Sequence, residues 1–185
     1  MNRKRIFSLA LYLLIAGICI AYGLLNRPFD ALKLPVLPPS PSPADSRSAA
    51  VRVRRVVDGD TIELESGEKV RYIGIDTPET VNPKKPVGCF GKEASEKNKE
   101  LVEGKNVILE KDVSEKDRYG RLLRYVWLAE ASSSAKGMFV NLFLVKEGYA
   151  SVSTFPPDVA RVREFITAQE EARNAGKGLW SACGQ

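Results

Sequence analysis

Histidine is absent from all 185 residues. Its absence removes Ser-His-Asp triads, Cys-His pairs, imidazole-containing zinc sites and every hydrolase scheme that needs an imidazole base or nucleophile. Cysteine is scarce: Cys19, Cys89 and Cys183 are too few for a four-thiolate zinc site or a dense disulfide scaffold. A strong excess of one charge is also missing from most of the chain. The net charge is +5, but residues 1–50 carry six cations (Arg3, Lys4, Arg5, Arg27, Lys33, Arg47) against Asp30 and Asp45. Residues 51–185 hold the remaining 22 cations and 21 anions, so anion binding there must come from a few placed cations rather than a general field. Any catalysis falls to carboxylates, arginines and a hard metal ion.

Three segments are expected. In 1–25, Arg3-Lys4-Arg5 precede Ile6–Leu25, twenty residues without a charge. A helix of that length spans about 30 Å, the thickness of a bilayer's hydrocarbon core. The leading cations place Met1 in the cytoplasm and the body across the membrane. A retained signal anchor is favoured over a cleaved signal peptide, because the apolar run is long and no small-x-small cleavage site directly follows it. The expected location is the cell membrane, single-pass with the C-terminal domain outside the cytoplasm, or secretion if the segment is cleaved. Residues 26–50 contain six prolines (28, 35, 38, 39, 41, 43) and four serines, the composition of an extended tether. The third segment, 51–185, is the folded domain.

Its texture is short strands with helices inserted late. Val51–Val57 alternates Val and Arg, Asp58-Gly59 turns the chain, and Thr61–Glu65 alternates again. Ser66-Gly67 leads into a strand over Lys69–Ile75. A helix is expected over Gly91–Glu103 with Gly104 as its C-cap, then strands over Asn106–Lys111 and Leu122–Leu128. Helices over Met138–Lys146 and Val159–Asn174 follow, with a short strand or extended turn at Tyr149–Ser153 between them. Five main strands and about three helices in some 135 residues suit an α+β, mainly β, Greek-key barrel with helices packed on it.

Three clusters carry chemistry: Asp58-Gly59-Asp60-Thr61, Arg71 through Asp76-Thr77-Pro78-Glu79-Thr80, and Asp117-Arg118-Tyr119-Gly120-Arg121. Each alone has a plain structural reading as a turn or loop. Together they are sharper. Asp60 and Asp76 sit at a strand start and a strand end, and two carboxylates with a backbone carbonyl and waters make a hard-oxygen site suited to Ca²⁺. Glu79 is a candidate general base, and Arg71 and Arg121 supply planar forks for phosphate oxygens. A phosphodiester hydrolase needs little else.

These clusters, in this order, resemble the thermonuclease (staphylococcal nuclease-like) family over about Val51–Trp180, together with Gly91-Lys92-Glu93-Ala94-Ser95 and Gly178-Leu179-Trp180. The resemblance implies a five-stranded OB-fold barrel with three helices and Ca²⁺-dependent cleavage of DNA and RNA. It implies that Asp60, Asp76 and the carbonyl of Thr77 bind the ion, and that Glu79 activates water. Arg71 would grip the phosphate, Arg121 would stabilise its transition-state charge, and Tyr119 would lie beside a nucleotide phosphate. Cleavage of the P–O5′ bond would leave 3′-phosphates. No obligate protein partner is expected and the default state is a monomer. The alternative is a non-catalytic OB-fold module that tethers oligonucleotides or a protein at the membrane, for which the intact acidic and arginine set is unneeded.

The stretch Ser151–Pro157 departs from the family pattern, offering Phe155 where tyrosines often stack on a base, a contact worth about 1–3 kcal/mol. Ala129–Gly137 reads as an extended surface loop. In an exported domain, Cys89 and Cys183 invite a disulfide, closing about 95 residues and worth roughly 4–5 kcal/mol by chain entropy.

Overall fold

The computed structural model describes residues 50–80, 86–130 and 135–184; the apolar span and the Pro-rich stretch lie outside them. Among the described residues no helix is long and apolar enough to cross a membrane. All described elements fall within one unit, Ser46–Gln185.

Strands β1 (Val51–Asp58), β2 (Thr61–Leu64) and β3 (Lys69–Tyr72) form two successive hairpins, pairing Asp58 with Thr61 and Thr61 with Arg71. The turns fall at Gly59 and Ser66-Gly67, as the alternating pattern requires. The expected third strand is shorter than Lys69–Ile75: the chain turns at Ile73-Gly74 and resumes as β4 (Ile75–Asp76). Gly74 has φ +82°, and a Cβ there would lie 2.4 Å from the Phe165 ring. The strand breaks where a core aromatic occupies the space beside the backbone, and the turn re-aims Asp76.

After helix α1 (Gly91–Val102) come β5 (Asn106–Glu110) and β6 (Leu122–Ala129). Strand β5 pairs with β1 and β6 with β5, both antiparallel. The first half of β6 then runs parallel to β3, Val70 opposite Leu122 and Tyr72 opposite Arg124. The cycle β1-β2-β3-β6-β5 is a closed five-stranded barrel, mainly β with four helices among the described residues, and it has the OB-fold arrangement. Closure satisfies strand edges that would otherwise be exposed.

Strand β7 (Lys136–Phe139) lengthens the sheet beside β6 and replaces the first residues of the helix expected from Met138. Phe139 stacks on Trp127 with ring centroids 4.3 Å apart, and that cross-strand contact holds the segment extended. Helix α2 (Val140–Lys146) starts after it, and β8 (Ser151–Val152) pairs with β4. Helix α3 (Val162–Asn174) begins later than Val159, because 155–160 is a turn tied to Asp158. A fourth, short helix, α4 (Leu179–Ala182), follows Gly178.

Val53, Ile62, Val70, Val107 and Val126 fill the barrel; between barrel and helices Tyr125 meets Phe139 edge-on and Phe165 tilts against both. Two buried asparagines bolt the helices on. Asn141 accepts the Val126 N–H at 2.9 Å and donates to the Ile73 carbonyl at 2.9 Å. Asn98 accepts the Tyr72 hydroxyl at 3.0 Å and donates to the Asp58 carbonyl at 3.4 Å. Both hydrogen-bond sets end on segments that carry the acidic residues.

Candidate active site

The β2–β3 register places Asp60, in the β1–β2 turn, beside Arg71; the Tyr72 N–H donates to the Asp60 carbonyl at 3.0 Å. The Asp60 carboxylate is buried. It accepts the Thr77 N–H at 2.9 Å, the Thr77 hydroxyl at 3.0 Å and the Thr61 hydroxyl at 3.0 Å, and it pairs with Arg71. The other guanidinium nitrogen of Arg71 donates to Asp76 at 2.7 Å. One arginine thus bridges a carboxylate of the β1–β2 turn, through its buried Nη1, and a carboxylate of β4, through Nη2.

The β3–β6 pairing adds the third cluster. Arg121 immediately precedes β6 and so lies alongside the start of β3. Its Nε and Nη2 each reach Asp117 at 2.7 Å, while the other Asp117 oxygen accepts the Tyr119 and Arg121 backbone N–H groups. Burial alone would raise the Asp117 pKa; the Arg121 hydrogen bond and the two N–H groups outweigh it and hold the carboxyl below its usual range.

Asp60, Arg71, Asp76, Thr77, Glu79 and Arg121 all line one pocket of about 310 Å³. Tyr119 is not in it. Its ring, 69% exposed, stands at an adjoining cleft of about 680 Å³, with Arg118 4.8 Å and Arg121 5.5 Å from its centroid. Phe155, 74% exposed, lines the same cleft. Arg71, Asp76 and Arg121 belong to both cavities, so the cleft runs into the acidic pocket.

The pocket is short of positive charge. Burial first, and the charges of Asp60 and Glu79 after it, raise the Asp76 pKa against the opposing pull of Arg71. Asp58 is raised in the same way, by burial and then by Asp60 and Glu79, although Thr80 and the Gly59 N–H stabilise its charge. A divalent cation would relieve that repulsion, and the lining offers oxygen donors without thiolate or imidazole. Among the described residues no group of three or more acidic or thiol side chains converges tightly enough to hold an ion by itself. The oxygen donors of the lining suit a hard cation in chemistry.

Cys89 and Cys183 are joined by a disulfide, Cα to Cα 5.9 Å, behind the Thr77 loop rather than in the pocket.

A profile described as staphylococcal nuclease homologue matches residues 69–182. The chain belongs to the staphylococcal nuclease family. It is 42% identical over 141 residues to a thermonuclease of Staphylococcus hyicus, covering 75% of this chain and 79% of that one. It is 42% identical over 142 residues to a thermonuclease of Staphylococcus intermedius, covering 75% and 80%. Endonuclease YncB of Bacillus subtilis (strain 168) is 38% identical over 139 residues, covering 72% of this chain and 63% of that one.

Within this family member several residues position the site although the sequence by itself assigns them no role of their own. Asp58 reads as a turn residue but is a buried carboxylate beside the acidic pocket. Asp117 orients Arg121. Asn98 has the one usable signal: it occupies the buried face of α1 with Ala94 and Val102, where an apolar residue is the norm.

Proposed function

We propose that this chain is a calcium-dependent endonuclease that hydrolyses DNA and RNA phosphodiesters outside the cytoplasm. The observation that carries the reading is the convergence of Asp60, Asp76, Glu79, Arg71 and Arg121 on one pocket that opens into a cleft rimmed by Tyr119 and Phe155. Family membership and the nuclease names of the relatives support the reaction class.

Asp60, Asp76 and the Thr77 carbonyl are the residues that would hold Ca²⁺. When bound, the cation polarises the phosphate and offsets charge building on phosphorus. Glu79 takes a proton from the attacking water. Arg71 and Arg121 each present two N–H donors to non-bridging phosphate oxygens, in a pocket where hydrogen bonds are strengthened by burial. Breaking the P–O5′ bond then leaves a 3′-phosphate, and the leaving O5′ takes a proton from solvent water to become a 5′-hydroxyl. The strand enters along the 680 Å³ cleft, with Tyr119 and Phe155 as apolar rests for the nucleotide. Residues 6–25 would anchor the enzyme in the membrane, with 26–50 holding it off the surface as a monomer.

The test is cleavage of single-stranded DNA by the full chain in detergent with Ca²⁺, then with excess EGTA, with Glu79→Gln alongside. The expected result is calcium-dependent cutting that falls by about 10²–10⁴-fold in the variant. Binding without cutting in both proteins would move the chain to the tethering class.

A further inference from the structure

Behind the acidic pocket lies a smaller cavity of about 260 Å³. Asp76, Thr77 and Pro78 form one wall, and Cys89, Leu179 and Cys183 line it as well. The disulfide therefore shares a cavity with the loop that presents the cation ligands and the base.

That loop, Thr77–Thr80, has no regular secondary structure of its own. The turn ahead of α1 supports it: the Gly88 N–H donates to the Glu79 carbonyl at 2.8 Å, and the Gly91 N–H donates to the Gly88 carbonyl at 3.0 Å. A Cβ on Gly88 would lie 2.8 Å from Pro78 Cβ and 3.2 Å from the Glu79 nitrogen. The turn is thus flush against the backbone that carries Glu79. Cys89, the next residue, is bonded to Cys183 just past α4. Helix α4 is itself fixed, since the Leu179 N–H donates to the Gly148 carbonyl at 2.9 Å and Lys177 pairs with Glu147 at 2.9 Å. Besides α1, Phe90 is a second anchor, its ring 5.6 Å from that of Tyr149.

We propose that the Cys89–Cys183 disulfide is a positioning element of the active site, holding the Glu79 backbone through Gly88, so that turnover depends on its oxidation state. The proposal rests on the reading of Glu79 as the base. Cys89 is exposed, so a dithiol can reach the bond. A thiolate of the dithiol attacks one sulfur and expels the other as a cysteine thiolate. The second dithiol sulfur then closes on the mixed disulfide and releases the remaining cysteine. Two electrons and two protons pass to the protein, and the reductant leaves as its own disulfide.

Arg71 on β3 and Arg121 before β6 do not touch the bond, so reduction should leave substrate binding in place while Glu79 loses its aim. A displacement of about 1 Å at a reacting group is enough to cost roughly 100-fold in rate. With Phe90 still anchored, the expected loss is about tenfold or more. Reducing a disulfide with a purely structural role would lower the melting temperature and leave kcat per folded molecule unchanged.

The experiment uses the full chain in a Cys19→Ser background, which removes the third thiol from exchange. Steady-state cleavage of a single-stranded oligonucleotide with Ca²⁺ is measured before and after dithiothreitol, below the melting temperature of the reduced form, with circular dichroism reporting the fold. We expect kcat to fall about tenfold or more, KM to stay within about threefold, and activity to return on reoxidation. The Cys89→Ser/Cys183→Ser double variant should share the lowered kcat and ignore dithiothreitol. Gly88→Ala keeps the bond, pushes on the same loop and should lower kcat in the oxidised protein. A reduced chain that is folded with full kcat overturns the proposal, as does Gly88→Ala with full kcat; these two stand even if the double variant fails to fold. Oxidised Glu79→Gln with full kcat would remove the base assignment instead.

Discussion

Arg121 does not reach its pocket as a free side chain. Asp117 takes two of its nitrogens at 2.7 Å and, with its second oxygen, the N–H groups of Tyr119 and Arg121. That carboxylate fixes both the guanidinium and the loop bearing Tyr119. Asp117→Asn should therefore lower kcat about tenfold, the rate equivalent of one charge-assisted hydrogen bond, with a smaller change in KM. Steady-state kinetics beside a melting curve checks this, and a kcat that rises would show the pair to be a lock rather than a brace. Apart from Tyr119, the catalytic and ligand residues named from the sequence line the pocket together, although each cluster alone has a plain structural reading as a turn or loop. Asp58 was not legible: Asp-Gly is what any hairpin turn needs, and its burial comes from packing against Thr80 and α1.

At the scale of elements, the sequence located β1, β2, β5 and β6 to within a residue or two, β1 and β2 by their alternation; β2 is nonetheless buried on both faces. Local patterns missed the break at Gly74, β7 and the late start of α3, where contacts with distant aromatics or one buried carboxylate decide. Asp158 is the clearest case. It accepts the Val113 N–H at 3.0 Å and the Ser114 N–H at 2.8 Å, tying the loop after β5 to the turn before α3. Its burial would raise its pKa, but the Ser114 and Val113 hydrogen bonds outweigh that and hold it below the usual value. A depressed folded-state pKa means the stabilisation is present above the ordinary carboxylate pKa of 3.8 and is lost as pH falls through the folded value. Asp158→Ala should cost about 2 kcal/mol at pH 7 by stranding two N–H donors, and the difference from wild type should shrink below about pH 4. Denaturant melts at pH 7 and below pH 4 would show it; a gap that widens in acid would contradict the assignment.

On the scale of the whole molecule, the parallel pairing of β3 with β6 does two things at once. It closes the barrel and brings Arg121 to a pocket whose other members lie between Val57 and Glu79. On the proposed function, the pocket's excess of carboxylates would make calcium a stabiliser of the fold. At a Ca²⁺ concentration 100 times the dissociation constant, binding to the folded state alone adds about 2.7 kcal/mol. Calcium should accordingly raise the melting temperature of the full chain. Asp76→Asn, at a side chain 58% exposed, should abolish most of that rise with little change in the calcium-free protein. Differential scanning fluorimetry with Ca²⁺ and with EGTA measures both, and an undiminished rise in the variant would remove Asp76 from the donor set.

The sequence by itself determined the available chemistry. Without histidine and with three cysteines, the chain was limited to oxygen donors and guanidinium groups. Local periodicity and turn residues determined most strands, because burial on one face is written residue by residue. Only the tertiary structure decided that Asp60, Glu79 and Arg121 face one pocket, that Tyr119 stands outside it, and that the disulfide lies behind the loop that starts at Thr77. Those facts depend on pairings between segments tens of residues apart, whose energy comes from barrel closure and from aromatic packing around Phe165. No local pattern in the chain records them.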